Sequence, residues 1–358
     1  MKTLCINLGE RSYPIYITKD YLKIAHCMEK ASLSGKVVVI TDTNVDKYQG
    51  DLFMDSLRTF TEDLHKYVIP AGENSKNLDT IQSIYKYLVS IKADRKTVLV
   101  ALGGGVTGDI TGFAAATFMR GIPFVQVPTT LLAQADSSVG GKVGVDFEGY
   151  KNIIGAFYQP RFVFINVNSL KTLPLKELQA GLAEVIKHGL IKDRDFFEYI
   201  ERNIDGIFEF DSDVLEYISE INCSIKGKVV EQDEKESGLR EILNFGHTFG
   251  HAIESAYGFK LLHGECVALG MVAAYRMAFY LGRVNEEMCE KVENVMKKAG
   301  LPVRLPGIDI DDVCKRMFYD KKVKNNKITF VLPEDIGKVC RTIIEDMDLI
   351  KKVLSELK

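Results

Sequence analysis

VLVALGGGVTGD, residues 98–109, joins an unbroken apolar run to a cluster of glycines. The run 98–102 describes a strand buried on both faces, because a half-exposed strand alternates polar and apolar side chains. Gly103, Gly105 and Gly108 then fall at the G-x-G-x-x-G spacing and open a helical segment. Glycines at such a turn let backbone approach a pyrophosphate, and the first helical turn offers unpaired N–H groups with a partial positive charge. The same spacing also serves a tight strand–helix turn that binds nothing. Here it follows a late strand, and no acidic residue lies about twenty positions on, unlike the usual dinucleotide fingerprint.

Similar units flank this one. Residues 36–41 (KVVVIT), 67–70, 124–127 and 162–167 read as further strands, and 77–91 has helical periodicity with Ile81, Ile84, Tyr85 and Leu88 on one face. Residues 3–18 alternate on both sides of Gly9-Glu10-Arg11-Ser12, the mark of a β-hairpin. Strands alternating with helices give a Rossmann-like, mostly parallel α/β sheet. Asp42, in Thr41-Asp42-Thr43-Asn44, ends the 36–41 strand where the crevice of such a sheet holds a ribose or adenine; the alternative is that it caps the following helix.

Beyond Pro174 the periodicity is helical: 176–190, 195–202, 214–231, 236–257, 263–281 and 286–298. The expected division is an α/β domain over 1–174 and an all-α domain over 175–358. One small strand, 328–332, follows a turn at Asn325-Asn326, and a terminal helix starts at Met347.

With 46 Lys and Arg against 49 Asp and Glu, the chain has no global field that would draw it to nucleic acid or a membrane. The most apolar stretch, 266–282, is short and interrupted by Arg276, so it is a buried helix and not a membrane span. Seven cysteines, odd in number, scattered and without a CxxC pair, fit reduced thiols in a cytoplasmic protein. No secretory signal is evident in MKTLCINLGE.

The chemistry concentrates in ESGLREILNFGHTFGHAIESAYGFKLLHGE, residues 236–265. Read as one helix, Glu236, Arg240, Asn244, His247 and His251 lie at steps of four, four, three and four, on one face, with Leu239, Ile242, Leu243, Phe249 and Ile253 buried around them. Solvated faces favour mixtures of Lys and Glu, so this polar row lines a cavity. Gly246 and Gly250 weaken the helix, which a close approach of ligand or partner backbone explains. His247 and His251 have the one-turn spacing of metal ligands; His263, Glu184 and His188 add more donors than an ion needs, and spacing does not choose among them. Lys142, Lys151, Lys187, Lys226, Arg240 and the pair Lys321-Lys322 stand in motif-like settings, and a substrate with phosphate and carboxylate needs several cations to converge.

These residues resemble a known family. The run GGGVTGDITGFAAATFMRGIPFVQVPTTLLAQADSSVGGKVGVDFEGYKNIIGAFYQP, then GLAEVIKHG, EQDEKESGLREILNFGHTFGHAIE, LLHGE and DKK, is similar to 3-dehydroquinate synthase, in order and over nearly the whole chain. The resemblance implies an N-terminal nucleotide-binding domain and a C-terminal helical domain with the active site in the cleft. It implies NAD and a divalent metal, zinc or cobalt. It also implies the second step of the shikimate pathway, in which 3-deoxy-D-arabino-heptulosonate 7-phosphate loses phosphate and closes to 3-dehydroquinate.

Carried over by position, the metal ligands are Glu184, His247 and His263, and His251 faces the substrate instead. The NAD positions are Asp42 with Asn44; Gly72, Glu73, Asn74, Ser75 and Lys76; Gly104, Gly105, Val106, Thr107, Gly108 and Asp109; Thr129 and Thr130; Leu170 and Thr172; with Lys142 and Lys151 bordering cofactor and substrate. Asp136, Asn152, Lys187, Lys226, Glu236, Arg240, Asn244, His251 and one of Lys321 and Lys322 match substrate contacts. Arg120 matches a residue that reaches across a homodimer.

The family chemistry is an oxidation by NAD, β-elimination of phosphate, return of the hydride, ring opening and an intramolecular aldol step, so NAD is not consumed. Lys142, Asn152, Asn244 and a lysine of the 321–322 pair would hold phosphate, Lys226 and Arg240 the carboxylate, and His251 and Glu236 would relay protons. Competing readings are another sugar-phosphate cyclase of the 2-deoxy-scyllo-inosose or valiolone type, a metal-dependent polyol dehydrogenase, and a nucleotide sensor with an inert metal site.

Overall fold

A computed structural model of the chain describes residues 1–236, 238–258, 260–307, 309–319, 323–324 and 327–358. These form two compact units, Met1–Pro174 with Phe210–Lys235, and Leu175–Glu209 with Glu236–Lys358.

The first unit is built on seven strands: β1 (Lys2–Ile6), β2 (Tyr13–Thr18), β3 (Val37–Asp42), β4 (Leu64–Ile69), β5 (Val98–Gly103), β6 (Phe124–Pro128) and, after the hairpin β7 (Lys142–Phe147) and β8 (Tyr150–Phe157), β9 (Val163–Asn166). The sheet order is β1-β2-β9-β6-β5-β3-β4, parallel except for the β1–β2 hairpin. The continuous apolar runs are explained by burial on both faces. Val37, Val39, Val98, Val100 and Leu102 pack into one core, while Val38, Ile40 and Leu99 point the other way onto Ile81, Ile84, Leu88 and Ile110 of the covering helices. The helix Ser212–Gln232 also packs with this unit.

Chain direction across the sheet reverses beside β3. From β3 the chain steps outward to β4, then returns past β3 to β5 and continues through β6 to β9. In open α/β sheets, ligands bind outside the carboxyl ends of strands at such a reversal. Here the ends are Asp42 on β3 and Gly103 on β5, with Thr41 opposite Leu102.

The β7–β8 hairpin carries no clean alternation, and sequence periodicity does not show it. Gly144 and Gly155 lie opposite each other, and a Cβ on Gly144 would stand 2.6 Å from the Ile154 carbonyl oxygen.

In the second unit, the expected all-α character holds through Lys298, but the strands Val323–Lys324, Lys327–Asp335 and Lys338–Ile344 form an antiparallel sheet. The expected 328–332 strand is the core of its central member; Lys338–Ile344 was not anticipated, because its half-exposed face gives no apolar run. The Asn325-Asn326 turn lies outside the described residues. Among the described residues no helix is long and apolar enough to cross a membrane.

The expected single helix over 236–257 is corrected. Glu236 has a left-handed backbone (φ 58°), a short 3-10 turn covers Leu239–Asn244, and the helix proper is His247–Ala256. Gly246 breaks the run, at φ 79°. A Cβ there would meet Met271 Cγ at 2.7 Å and the Val267 carbonyl oxygen at 2.9 Å, both on the helix His263–Tyr280. At Gly250 a Cβ would stand 3.0 Å from the Cys266 carbonyl oxygen. The backbone that the glycines admit is therefore that of the following helix, and the one-face arrangement of Glu236, Arg240 and Asn244 with the histidines does not exist. Leu239, expected buried, is exposed.

Candidate active site

The loops at the carboxyl ends of β3, β4, β5, β6 and β9 carry the positions expected to bind a nucleotide. Gly104 precedes the helix Gly105–Thr117, and no described side chain caps it, so the N–H groups of its first turn remain available to an anion. Close packing explains part of the glycine cluster: a Cβ on Gly108 would stand 2.8 Å from Gln126 Oε1 and one on Gly104 3.0 Å from Thr130 Cγ2.

Asp42 fulfils the capping reading and also contacts the glycine loop. Its Oδ1 accepts from the Asn44 and Val45 N–H groups at 2.9 and 3.1 Å, capping the short turn after β3. Its Oδ2 accepts from Thr107 Oγ1 at 3.3 Å, which ties β3 to the glycine loop across the reversal. In the loop after β4, Gly72 has φ 105°, Ser75 Oγ donates to the Pro70 carbonyl at 2.6 Å, and Asn74 accepts from Asn77. Glu73 opens its short 3-10 turn. Lys76 reaches Asp109 Oδ2 at 2.6 Å. Burial pushes the Asp109 carboxyl up, and the Lys76 ammonium works against that. Thr129 N–H donates to the Gly103 carbonyl at 2.9 Å, and Thr130 Oγ1 accepts from Ala133 N–H at 3.1 Å. Leu170 is buried, and Thr172 Oγ1 accepts from Gln49 at 2.9 Å.

Other expected contacts in this unit separate into two groups. Lys226, 5% exposed, donates to the Asp136 carbonyl at 2.6 Å and pairs with Asp136 Oδ1 at 2.9 Å. Lys142, Lys151 and Asn152 lie on the β7–β8 hairpin with exposed side chains; Asn152 has φ 53° and its N–H donates to Asp146. Arg120 stands in a left-handed run with Met119 and Gly121.

The second unit brings a carboxylate and two imidazoles together. Glu184 is 1% exposed on the helix Leu175–Lys192. His247 Nε2 lies 3.6 Å and His263 Nε2 3.8 Å from Glu184 Oε1. Donors held at about 2.0–2.1 Å by one tetrahedral ion lie roughly 3.4 Å apart, so the trio fits a single cation. Glu184 Oε1 has no hydrogen-bond donor among the described residues, while Lys187 pairs with Oε2.

The outward nitrogens are oriented for the same task. His247 Nδ1 lies 3.1 Å from the Phe245 carbonyl, which fixes the proton on Nδ1 and turns the Nε2 lone pair to Glu184. Burial, then Lys187 and the neighbouring imidazoles, hold His247 well below its usual pKa, in the neutral form a cation requires. His263 Nδ1 faces Glu254 Oε2 at 3.6 Å; burial favours its neutral form, but Glu254 and Glu184 outweigh that and raise its pKa. His251, Glu254 and His263 form a second cluster with donor atoms within 4.8 Å. Ring centroids of His251 lie 5.2 Å from His247 and 5.9 Å from His263. Asn244 Nδ2 donates to Glu236 Oε1 at 3.1 Å, Arg240 is buried, and His188 is buried on the Glu184 helix outside the trio. Lys321 and Lys322 lie outside the described residues.

Models of the 3-dehydroquinate synthase N-terminal and C-terminal regions match residues 66–180 and 181–323. A 3-dehydroquinate synthase of Acetivibrio thermocellus is 62% identical over the whole of this chain and 99% of its own length. The chain belongs to the 3-dehydroquinate synthase family. Among solved structures, a 2-deoxy-scyllo-inosose synthase complexed with carbaglucose-6-phosphate, NAD+ and Co2+ superposes with a TM-score of 0.91, at 28% identity, over 99% of this chain and 100% of its own. The 2-epi-5-epi-valiolone synthase of Streptomyces hygroscopicus, with NAD+ and Zn2+ bound, does so at 0.89 and 28%, over 98% of both chains.

The sequence reading assigns no role to Glu254 or Gln134. Glu254 had a visible signal, since His247, His251 and Glu254 follow at steps of four and three on one helix. Gln134, fully buried behind Thr129 and Thr130, had none.

Proposed function

We infer that the chain is a 3-dehydroquinate synthase, converting 3-deoxy-D-arabino-heptulosonate 7-phosphate to 3-dehydroquinate and phosphate with NAD and a divalent metal. The observation that carries this, beyond family membership, is the buried Glu184 oxygen faced by two Nε2 atoms. When bound, NAD supplies a temporary hydride acceptor and the divalent ion a Lewis acid for the substrate hydroxyls.

The residues proposed to hold the ion are Glu184, His247 and His263. They are preferred to the cluster with His251 because His247 and His263 both turn Nε2 to Glu184, with Nδ1 occupied by the Phe245 carbonyl and facing Glu254 respectively. Carboxylate recognition falls to Lys226 and Arg240, both buried, where a charge discriminates strongly. Lys142, Asn152, Asn244 and one of Lys321 and Lys322 are proposed for the phosphate. Holding both ends of the substrate restricts its reacting carbons to a productive geometry. His251 and Glu236 are proposed to move protons at the oxidised hydroxyl. The NAD contacts are proposed at the loops around Asp42, Gly72–Lys76, Gly104–Asp109, Thr129–Thr130 and Leu170–Thr172; their common place at the strand ends supports this. A homodimer, with Arg120 reaching its partner, and a cytoplasmic location complete the proposal; the free cysteines support a reducing compartment.

Substrate comparison tests it. With NAD+ and zinc, the purified protein releases inorganic phosphate from the heptulosonate phosphate and not from glucose 6-phosphate or sedoheptulose 7-phosphate. Release from either of the latter alone would reassign the chain to the other cyclases.

A further inference from the structure

After β6 the chain makes one π-helical turn, Ala133–Ser137, closed by Ser138 N–H donating to the Ala133 carbonyl at 3.2 Å. Such wide turns are rare, and they occur frequently at functional sites. Gln134 anchors this one. Its side chain is fully buried, and Nε2 lies 3.2 Å from each of the Pro128 carbonyl, the Asn166 carbonyl and Ser169 Oγ. Two carbonyl acceptors on one side identify that end of the amide as the donor. The other end, Oε1, is buried with no hydrogen-bond partner among the described residues. A buried acceptor left unmatched is costly, so it is the donor end that holds the side chain here.

Two residues on, Asp136 takes the Lys226 ammonium twice, through its backbone carbonyl and through Oδ1. The helix that carries Lys226 is also tied to the turn one helical turn earlier: Cys223 Sγ donates to the Gln134 carbonyl at 3.5 Å. Gln134 is thus fixed to the ends of β6 and β9 by its side chain and to the Lys226 helix by its backbone. The network continues through Ser169, whose carbonyl accepts from Thr172 Oγ1, which accepts from Gln49. Gln49 sits in a second π-helical turn, Asp46–Gly50, a few residues beyond β3. We propose that Gln134 is a positioning residue for the substrate's carboxylate: by holding the π turn it sets Asp136, and Asp136 aims Lys226. This rests on the assignment of Lys226 as a carboxylate contact.

The test is steady-state phosphate release by the full-length, zinc-loaded protein at saturating NAD+, for Gln134→Met, Lys226→Met and the double variant. Methionine keeps the volume and removes the donor. Lys226→Met raises KM for the heptulosonate phosphate. Gln134→Met raises it about tenfold with kcat nearly unchanged, and the double variant is no worse than Lys226→Met alone. Multiplying effects in the double variant, an unchanged KM in Gln134→Met, or a fall in kcat without a KM change would overturn the positioning role while leaving the Lys226 assignment intact. An unchanged KM in Lys226→Met removes the assignment itself, and the positioning role with it. If Gln134→Met does not fold, Ser169→Ala weakens the same anchor by one acceptor; it must raise KM with the same non-multiplying behaviour, and an unchanged KM there counts against the proposal.

Discussion

Glu184, His247 and His263 are separated by at least 16 positions in sequence, yet their side chains meet. Replacing any of them (Glu184→Gln, His247→Ala, His263→Ala) removes one of the three proposed ligands, and zinc affinity falls by on the order of a hundredfold or more with activity lost in parallel, as metal analysis after dialysis will read. His251→Ala keeps its zinc and loses rate; equal zinc loss there would move the site to the neighbouring cluster. Glu254→Gln leaves all three ligands in place but weakens the hold on His263 Nδ1, and zinc affinity drops about 10–100-fold. The candidate ligand residues were legible in the sequence, and the family resemblance narrowed five to the three proposed. Their orientation was not, because the carbonyl and carboxylate behind the two rings come from tertiary packing. Cysteine chemistry adds a pH test. Burial pushes the Cys27 and Cys289 thiols up to about 11 and Cys223 to about 12. A raised thiol pKa leaves the neutral form dominant, so at pH 8 only about one in a thousand of the first two is thiolate. Labelling of the native protein therefore marks exposed Cys5 first, and the three buried thiols react only as pH climbs or the chain unfolds.

Among the elements, the parallel strands were plain from their unbroken β-branched runs, because burial on both faces removes the need for polar positions. The helix break before His247 was not. The helical spacing continues across Gly246, and only the neighbouring helix forces the turn. Gly246→Ala tests this: its left-handed backbone and the Met271 and Val267 contacts together cost about 2–4 kcal/mol. Gly258→Ala, left-handed at φ 59° but with nothing within 4 Å among the described residues, costs only the backbone part, about 1–2 kcal/mol. Thermal or denaturant unfolding that ranked them equally would show that packing against His263–Tyr280 does not set the break. The hairpin Lys142–Phe147/Tyr150–Phe157 and the strand Lys338–Ile344 escaped sequence reading for a common reason: each exposes much of its surface, so the apolar pattern that marks a strand is thin.

For the whole molecule, nothing local in Ser212–Gln232 says that it packs with the first unit, since its periodicity is that of any two-sided helix. Balanced charge and ordinary composition gave only exclusions, and the function rests on the two sets of residues taken together. One unit carries the proposed nucleotide site at the β3/β5 reversal, and the other the proposed cation trio; the chemistry proposed uses both in a single redox-neutral conversion. The most direct measurement follows phosphate and NADH together as the zinc-loaded protein turns over excess heptulosonate phosphate with a substoichiometric amount of NAD+. Phosphate release continuing far beyond the NAD+ supplied, with no net NADH at completion, is the expected result. Turnover that stops when the NAD+ is spent, with NADH accumulating in step, would make the chain a dehydrogenase and contradict the account.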